Sequence, residues 1–252
     1  MEYKYAKEQP NYSDFASGRV FHSLPGHPAF PVRLASEIFQ RCVAHRKTEY
    51  NDSTPCVLYD PCCGAAYHLS VIAYLHGEHI RKVIASDADE KAVALAKRNL
   101  GLLDIAGLDK RIDEITTILE KYGKDSHKDA LRSANTLKAK FSAPSEKHPL
   151  ALQTFRANAL DSKEIANNIK HKSVDIVFTD VPYGQHSQWL NSGFTESTNP
   201  IEAMLNSLLG ILSSSSIVAI VSDKQQKILR NGYQRIERFQ IGKRRVFILK
   251  PV

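Results

Sequence analysis

The chain has no apolar run approaching the roughly 20 residues that cross a bilayer as a helix. Its opening residues, Met1-Glu2-Tyr3-Lys4-Tyr5-Ala6-Lys7-Glu8, lack the apolar core of a secretion signal. A cytoplasmic location and no membrane partner are therefore expected. There are four cysteines, Cys42, Cys56, Cys62 and Cys63, and none stands in Cys-x-x-Cys spacing. That pattern suggests neither a zinc site nor a disulfide framework, and the thiols are read as reduced and packed. No metal is expected. The Gly-x-Gly-x-x-Gly fingerprint of dinucleotide sites is missing, with only Gly64 in the candidate turn, which argues against a cofactor carrying a pyrophosphate. There is no internal repeat and no low-complexity tract. The short run Ser213-Ser214-Ser215-Ser216 reads as a turn before a strand.

What the chain does have is one-sided charge. The net charge is +7 over 252 residues, and residues 224–252 hold nine Lys or Arg against the single acid Glu237. That tail is +8 and the remainder is −1. A concentrated positive field suits a polyphosphate partner. Basic residues also protect sheet edges, so charge alone leaves both readings open. Hydrophobic content of 42% and charged content of 24% are those of an ordinary globular protein long enough to bury a full core.

Hydrophobic periodicity organises the rest. A loop-like start, 1–30, gives way at Pro31 to helical spacing over 32–41. A first strand over 56–59 is followed by a helix near 67–76, a second strand over 82–87, and a helix over 89–100 with an acidic start and basic end. This alternation predicts a parallel sheet. It breaks at 104–142, where Ile112, Ile115, Leu119 and Tyr122 repeat at helical spacing. So do Ala130, Ala134, Leu137 and Phe141, with Gly123 between the sets. This is read as an inserted helical hairpin; its nearly balanced charges give no electrostatic sign of gripping RNA, and a packing lid and a shape-reading arm both stay open, with packing favoured. A third strand over 151–156, a helix near 163–169, a fourth strand from Val174, a helix over 199–212 and a fifth strand over 217–221 complete the core. A terminal hairpin over 233–249 turns at Gly242-Lys243.

Two strand ends carry the chemistry. Val57-Leu58-Tyr59-Asp60-Pro61-Cys62-Cys63-Gly64 ends a strand in an acid and a small-residue turn, where a ligand can approach the backbone. Val174-Asp175-Ile176-Val177-Phe178-Thr179-Asp180-Val181-Pro182-Tyr183-Gly184 ends another in Asp-Val-Pro-Tyr. The pair resembles the first and fourth motifs of S-adenosylmethionine-dependent methyltransferases that modify nucleic-acid bases. On that resemblance Asp60 would meet the cofactor's ammonium, with Pro61, Cys62, Cys63, Gly64 and Ala65 forming the close turn. Asp87, followed by Ala88, would take the ribose hydroxyls. Asn158 and Ala159 would flank the adenine. Each acid also has a plainer reading as a helix N-cap. Asp180 is assigned both to cofactor binding and, as the catalytic residue, to positioning or accepting the proton of the target nitrogen. Pro182 would stiffen the loop, and Tyr183 would stack the base, as such enzymes act on unpaired or flipped bases.

The blocks 22–41, 60–67, 83–89 and 179–184 together are similar to the avilamycin-resistance rRNA methyltransferase family, over nearly the whole chain. Membership implies a Rossmann-like class I methyltransferase fold: an α/β, mostly parallel seven-stranded sheet ending in an antiparallel hairpin, with the inserted helical arm. It implies a single domain, 1–252. Within it, 1–55 closes over the cofactor, 104–142 is the arm and 224–252 is the basic hairpin. The implied cofactor is S-adenosyl-L-methionine, with Phe30, Pro31 and Arg33 lining its methionine end. His22 and His27 are read as plain loop residues. The implied reaction is methylation of a guanine in 23S rRNA of the large ribosomal subunit, which blocks an orthosomycin antibiotic. Arg238, Lys243, Arg244 and Arg245 are the candidate RNA contacts, and the enzyme is expected to be a monomer. The alternatives are an adenine-N6 or small-molecule methyltransferase, a non-catalytic RNA-binding relative, and a dinucleotide oxidoreductase. One departure stands out. The family pattern has a second glycine where this chain has Ala66, and Ala66 is expected to be harmless as an ordinary helix start.

Overall fold

The structure, a computed structural model, describes residues 3–16, 18–23, 29–141, 150–182, 189, 199–223, 226 and 231–252. Seven strands form one sheet: β1 (Cys56–Asp60), β2 (Ile80–Asp87), β3 (Ala151–Arg156), β4 (Val174–Asp180), β5 (Leu212–Asp223), β6 (Tyr233–Ile241) and β7 (Arg244–Pro251). Their order is β3-β2-β1-β4-β5-β7-β6. The first five run parallel, and β7 inserts antiparallel between β5 and β6. β1 and β4 are adjacent although β2 and β3 lie between them in sequence. At that switch point the connections diverge and leave a crevice above the carboxyl ends of the strands.

The helices are α1 (Val32–Tyr50), α2 (Tyr67–His76), α3 (Glu90–Gly101), α4 (Ile105–Tyr122), α5 (Asp125–Phe141), α6 (Ser162–Ala166) and α7 (Pro200–Leu208). One apolar layer joins α1, α2 and α3 to Leu58, Ile176, Phe178, Ala219 and Val246 on one sheet face. A second joins α6 and α7 to Tyr59, Val177, Ile220 and Phe247 on the other. Strand alternation makes this division, as successive residues face opposite sides. β1 and most of β4 are buried on both faces, as a central parallel strand requires.

The expected hairpin at 104–142 is present as α4 and α5. It has its own small core of Leu108, Ile115, Ala130, Ala134 and Leu137, closed by Phe15, Val20 and Phe21 of the N-terminal segment. Arg111 donates from Nε to the Val20 carbonyl (2.9 Å), and the Tyr74 hydroxyl donates to the Leu137 carbonyl (2.7 Å). Gly107 lets α4 start against the end of α3: a Cβ there would lie 1.9 Å from the Gly101 carbonyl oxygen. Tyr122, expected on the apolar stripe, is instead exposed at the far end of α4, and the side chain of Phe141 lies outside the described residues.

Several boundaries differ from the sequence reading. α1 runs nine residues past Arg41 before Asn51 caps it in the left-handed region. α7 is shorter than expected: Asn199 caps its start, accepting from the amides of Ile201 and Glu202, and β5 begins at Leu212. α6 likewise ends at Ala166. Ser213–Ser216 is strand, not turn. Two of its hydroxyls are held by acids, Ser213 donating to Asp175 (2.9 Å) and Ser215 to Asp52 (2.8 Å). A register irregularity opposite Val174–Ile176 absorbs the extra length.

Ala66 corrects the helix-start expectation. It sits at φ 52°, ψ 30° as the N-cap of α2, fully buried. A left-handed alanine costs about 1–2 kcal/mol. Its buried methyl returns about 0.8 kcal/mol, and alanine loses about 0.4–1 kcal/mol less chain entropy on folding than glycine. These terms nearly cancel, so Ala66→Gly is expected to leave stability within about 1 kcal/mol of wild type, a shift of about 2–4 °C at most. Ala66→Val, β-branched at positive φ, is expected to be far worse. Thermal melts of both variants check this; a large gain from glycine would show uncompensated strain.

Candidate active site

The turn after β1 is built around a buried carboxylate. Asp60 is fully buried; its Oδ1 accepts from the Cys62 amide at 2.9 Å. Its Oδ2 lies 3.1 Å from Nε2 of His68 on α2, an ion-pair approach off the best hydrogen-bond direction. His68 is itself buried, with its ring 4.9 Å from that of Phe178 and 5.6 Å from that of Phe30. Burial works against its charge, yet Asp60, with Asp180 beyond it, raises its pKa above the ordinary imidazole value. Asp60 thus fixes the turn and anchors α2.

Asp87 ends β2 beside it. Its Oδ2 accepts from the Gly64 amide (2.9 Å) and its Oδ1 from the Asp89 amide (3.0 Å). Asp89, not Asp87, caps α3, accepting from the Lys91 amide. Ala66 holds the N-cap of α2, so neither Asp60 nor Asp87 is an N-cap. Burial raises the Asp87 pKa, with Asp60 and Asp89 adding to it against the two amide bonds. Each Asp87 oxygen keeps a second lone pair for a ligand. Gly64 at φ 52° has open space where a Cβ would project, so the backbone stays accessible there. Asn99, buried on α3, clamps this loop by donating to the carbonyls of Ala65 (2.8 Å) and His22 (2.9 Å).

These elements surround a cavity of about 210 Å³, lined by Pro61, Cys62, Asp87, Ala88, Asp89, Asn158, Ala159, Pro182 and Trp189. Three strand ends and the Pro182 loop therefore meet at one space. Cys63 is buried beneath it, while Gly64 and Ala65 form the turn alongside. Burial pushes the Cys62 and Cys63 thiols well up, with Asp60 and Asp87 adding to it, which disfavours the thiolate at both. Asp89 and Trp189 were not anticipated. The one tryptophan of the chain was the available signal for the second. A larger cavity, about 390 Å³, lies between the arm and the N-terminal segment. It is remote from the strand ends, and its Arg19 and Arg111 are paired with Asp129 and Glu114.

Asp180 closes β4 with its Oδ1 buried. The Val181 amide donates to the Val221 carbonyl (3.0 Å), and the Pro182 carbonyl accepts from Gln226 (2.9 Å). Both contacts fix the loop that carries Pro182. Tyr183 and His27 lie outside the described residues. Phe30 is buried against Phe178, centroids 5.7 Å apart. Arg33 turns elsewhere: Nε donates to the Ala6 carbonyl (2.9 Å), an Nη to that of Lys7 (2.8 Å), and the guanidinium covers the Tyr3 ring. It pins the N-terminal segment rather than reaching the cavity. His22 is held neutral, its pKa lowered to about 4 by burial and by Arg111 and Arg98.

The basic hairpin does not present one surface. Arg244 shares a face with Val246 and Ile248, toward α1 and α2, and its guanidinium lies 5.3 Å from the Phe30 ring. Arg245 and Arg238 take the opposite face, Arg238 over Phe247. Lys243 is exposed at the turn. Among the described residues no group of three or more His, Cys, Asp or Glu is placed to hold a metal, and no helix is long and apolar enough to cross a membrane.

A mostly parallel sheet closed by an antiparallel hairpin, with Asp87 and the turns after β1, β3 and β4 lining one crevice, defines a Rossmann-like methyltransferase fold. The family model described as rRNA methyltransferase AviRa matches residues 1–244, and the chain belongs to that family. It is 37% identical over 248 residues to a 23S rRNA (guanine(2535)-N(1))-methyltransferase of Streptomyces viridochromogenes, covering 98% of this chain and 95% of that protein. It is also similar to two solved structures of the rRNA methyltransferase AviRa from the same organism. One has a TM-score of 0.84 at 36% identity, with 99% and 96% of the two chains covered. The other has a TM-score of 0.83 at 36% identity, with 98% and 96% covered.

Proposed function

We propose that this enzyme transfers one methyl group to N1 of a guanine in 23S rRNA. The observation that carries the reading is that Pro182, two residues after the acid that closes β4, lines a cavity formed by the ends of β1, β2 and β3. The match to a curated guanine-N1 methyltransferase supports the choice of base and atom.

The donor set fits S-adenosylmethionine: a carboxylate for a diol, a close glycine turn, and no cradle for a pyrophosphate. Asp87 would hold the ribose, Ala88, Asn158 and Ala159 the adenine, and the Pro61–Ala65 turn the remainder. The chemistry brought by the bound cofactor is a methyl on a sulfonium sulfur, which keeps the carbon–sulfur electron pair when the methyl leaves. Guanine N1 carries a proton and its lone pair is conjugated, so N1 attacks well only as that proton departs. Asp180 accepts the proton, and the freed pair forms the nitrogen–carbon bond. Pro182, with no N–H to donate, leaves the loop carbonyls as acceptors toward the base. Tyr183 stacks it. Lys243, Arg238 and Arg245 contact phosphates around the target.

Labelled methyl transfer to separate samples of large-subunit rRNA, small-subunit rRNA and DNA tests this. Label is expected in large-subunit rRNA alone, at a guanine where reverse transcription stops, because an N1-methyl blocks base pairing. Binding is expected to weaken steeply as salt rises, since each neutralised phosphate releases counterions. Label in DNA, or on adenine, would sink the proposal.

A further inference from the structure

We propose that Arg244 reads O6 of the target guanine and steadies the negative charge that the base acquires as N1 loses its proton. This rests on the function proposed above. The sheet order carries the argument. The cavity spans the ends of β3, β2 and β1 and reaches β4 at Pro182, so a methyl acceptor engaging Asp180 from the other side lies over β5 and β7. Register aligns Asp180 with Val221 and Val221 with Val246, which puts Arg244 two residues beyond the level of Asp180 on the same face. From β7 its guanidinium reaches back over Phe30, whose ring packs on Phe178, two residues before Asp180.

The second observation is what Arg244 lacks. Its Nε is buried without a hydrogen-bond partner, and its guanidinium forms no ion pair among the described residues. Asp223 is its register partner on β5. A partly buried cation held over an aromatic ring, with donors unspent, is suited to an acceptor that arrives with the substrate. The planar fork of arginine matches the O6 and N7 acceptors of guanine, whereas adenine presents an amino donor at that edge. Proton loss from N1 places charge on O6, so this contact strengthens toward the transition state.

Arg244→Gln is the test, using the full-length enzyme and an rRNA fragment containing the target. The expected result is a kcat about a hundredfold lower, little change in KM for RNA, and unchanged protection against heat by S-adenosylhomocysteine. The rate should also keep rising to higher pH in the variant. The charged groups facing Arg244 are Asp223 from β5 and Asp180 from β4, with Ile241 opposite on β6 and Phe30 above. The alkaline limb of the profile is assigned to the guanine N1 proton. Unchanged kcat with raised KM and a shallower salt slope would overturn the inference in favour of a phosphate contact. Lost heat protection would overturn it in favour of a cofactor contact. A wild-type enzyme inactive on guanine would overturn both readings; an active wild type with an unimpaired Arg244→Gln would overturn only this one.

Discussion

Asp180→Asn is expected to lower kcat for methyl transfer by about a thousandfold, within the range of a positioned general base, while the protein stays folded and still binds RNA. Asparagine nearly matches aspartate in shape and keeps one acceptor oxygen, but it cannot take the proton from guanine N1 near neutral pH. The surrounding backbone gives no reason for collapse: the Val181 amide is tied to Val221, and the Pro182 carbonyl to Gln226. Single-turnover transfer of labelled methyl to an rRNA fragment measures the loss. The variant should recover activity as pH rises, because hydroxide then removes the proton that Asp180 would have taken. A variant as fast as wild type at neutral pH would mean that Asp180 is not the proton acceptor.

Glu37→Ala is expected to cost about 3–5 kcal/mol, the usual penalty for breaking a buried charged pair. Glu37 on α1 is fully buried and accepts from the amides of Lys4 (2.7 Å), Tyr5 (2.9 Å) and Ala6 (2.7 Å), and from Arg41 Nε (2.7 Å). Alanine strands three donors and leaves Arg41, itself buried, with Glu237 and the Phe239 ring. At about 2–4 °C per kcal/mol for a chain of this size, the melting temperature should fall by about 6–20 °C. Proteolysis should show residues 3–7 released from α1. The pH dependence has a definite sign. Burial opposes the Glu37 charge, but the three amides and Arg41 outweigh it and hold the pKa below the ordinary value of 4.5. Its stabilisation is therefore complete above that value and fades as pH falls through the lowered pKa. The gap between wild type and variant should shrink in acid, and a gap that widened there would contradict this account.

Glu37 also shows what the sequence could not reveal. It stands in a helical segment beside Ser36 and Ile38, where a carboxylate ordinarily faces water. Nothing local says that an N-terminal strap of three amides folds over it. Arg33 was placed at the cofactor for a similar reason: its position in a motif was legible, but its side-chain direction was set by the carbonyls of Ala6 and Lys7. Ser213–Ser216 has turn composition, and only acids arriving from distant segments, Asp52 and Asp175, made a strand of it.

Other features were fixed by local pattern. The apolar run of β1, the acids ending β1, β2 and β4, and the helical periods of the arm follow from side-chain spacing, which sheet and helix geometry translate directly into faces. Those acids needed no tertiary information to be singled out, because an acid ending an apolar strand before a small-residue turn is a local feature. What only the folded chain decided is where side chains from separate segments converge. It placed Trp189 in the cavity, Asn99 across two loops, His68 against Asp60, and Ala66 in a left-handed turn. Sequence spacing encodes periodicity within an element; partners across elements depend on register and strand order, which long-range packing sets.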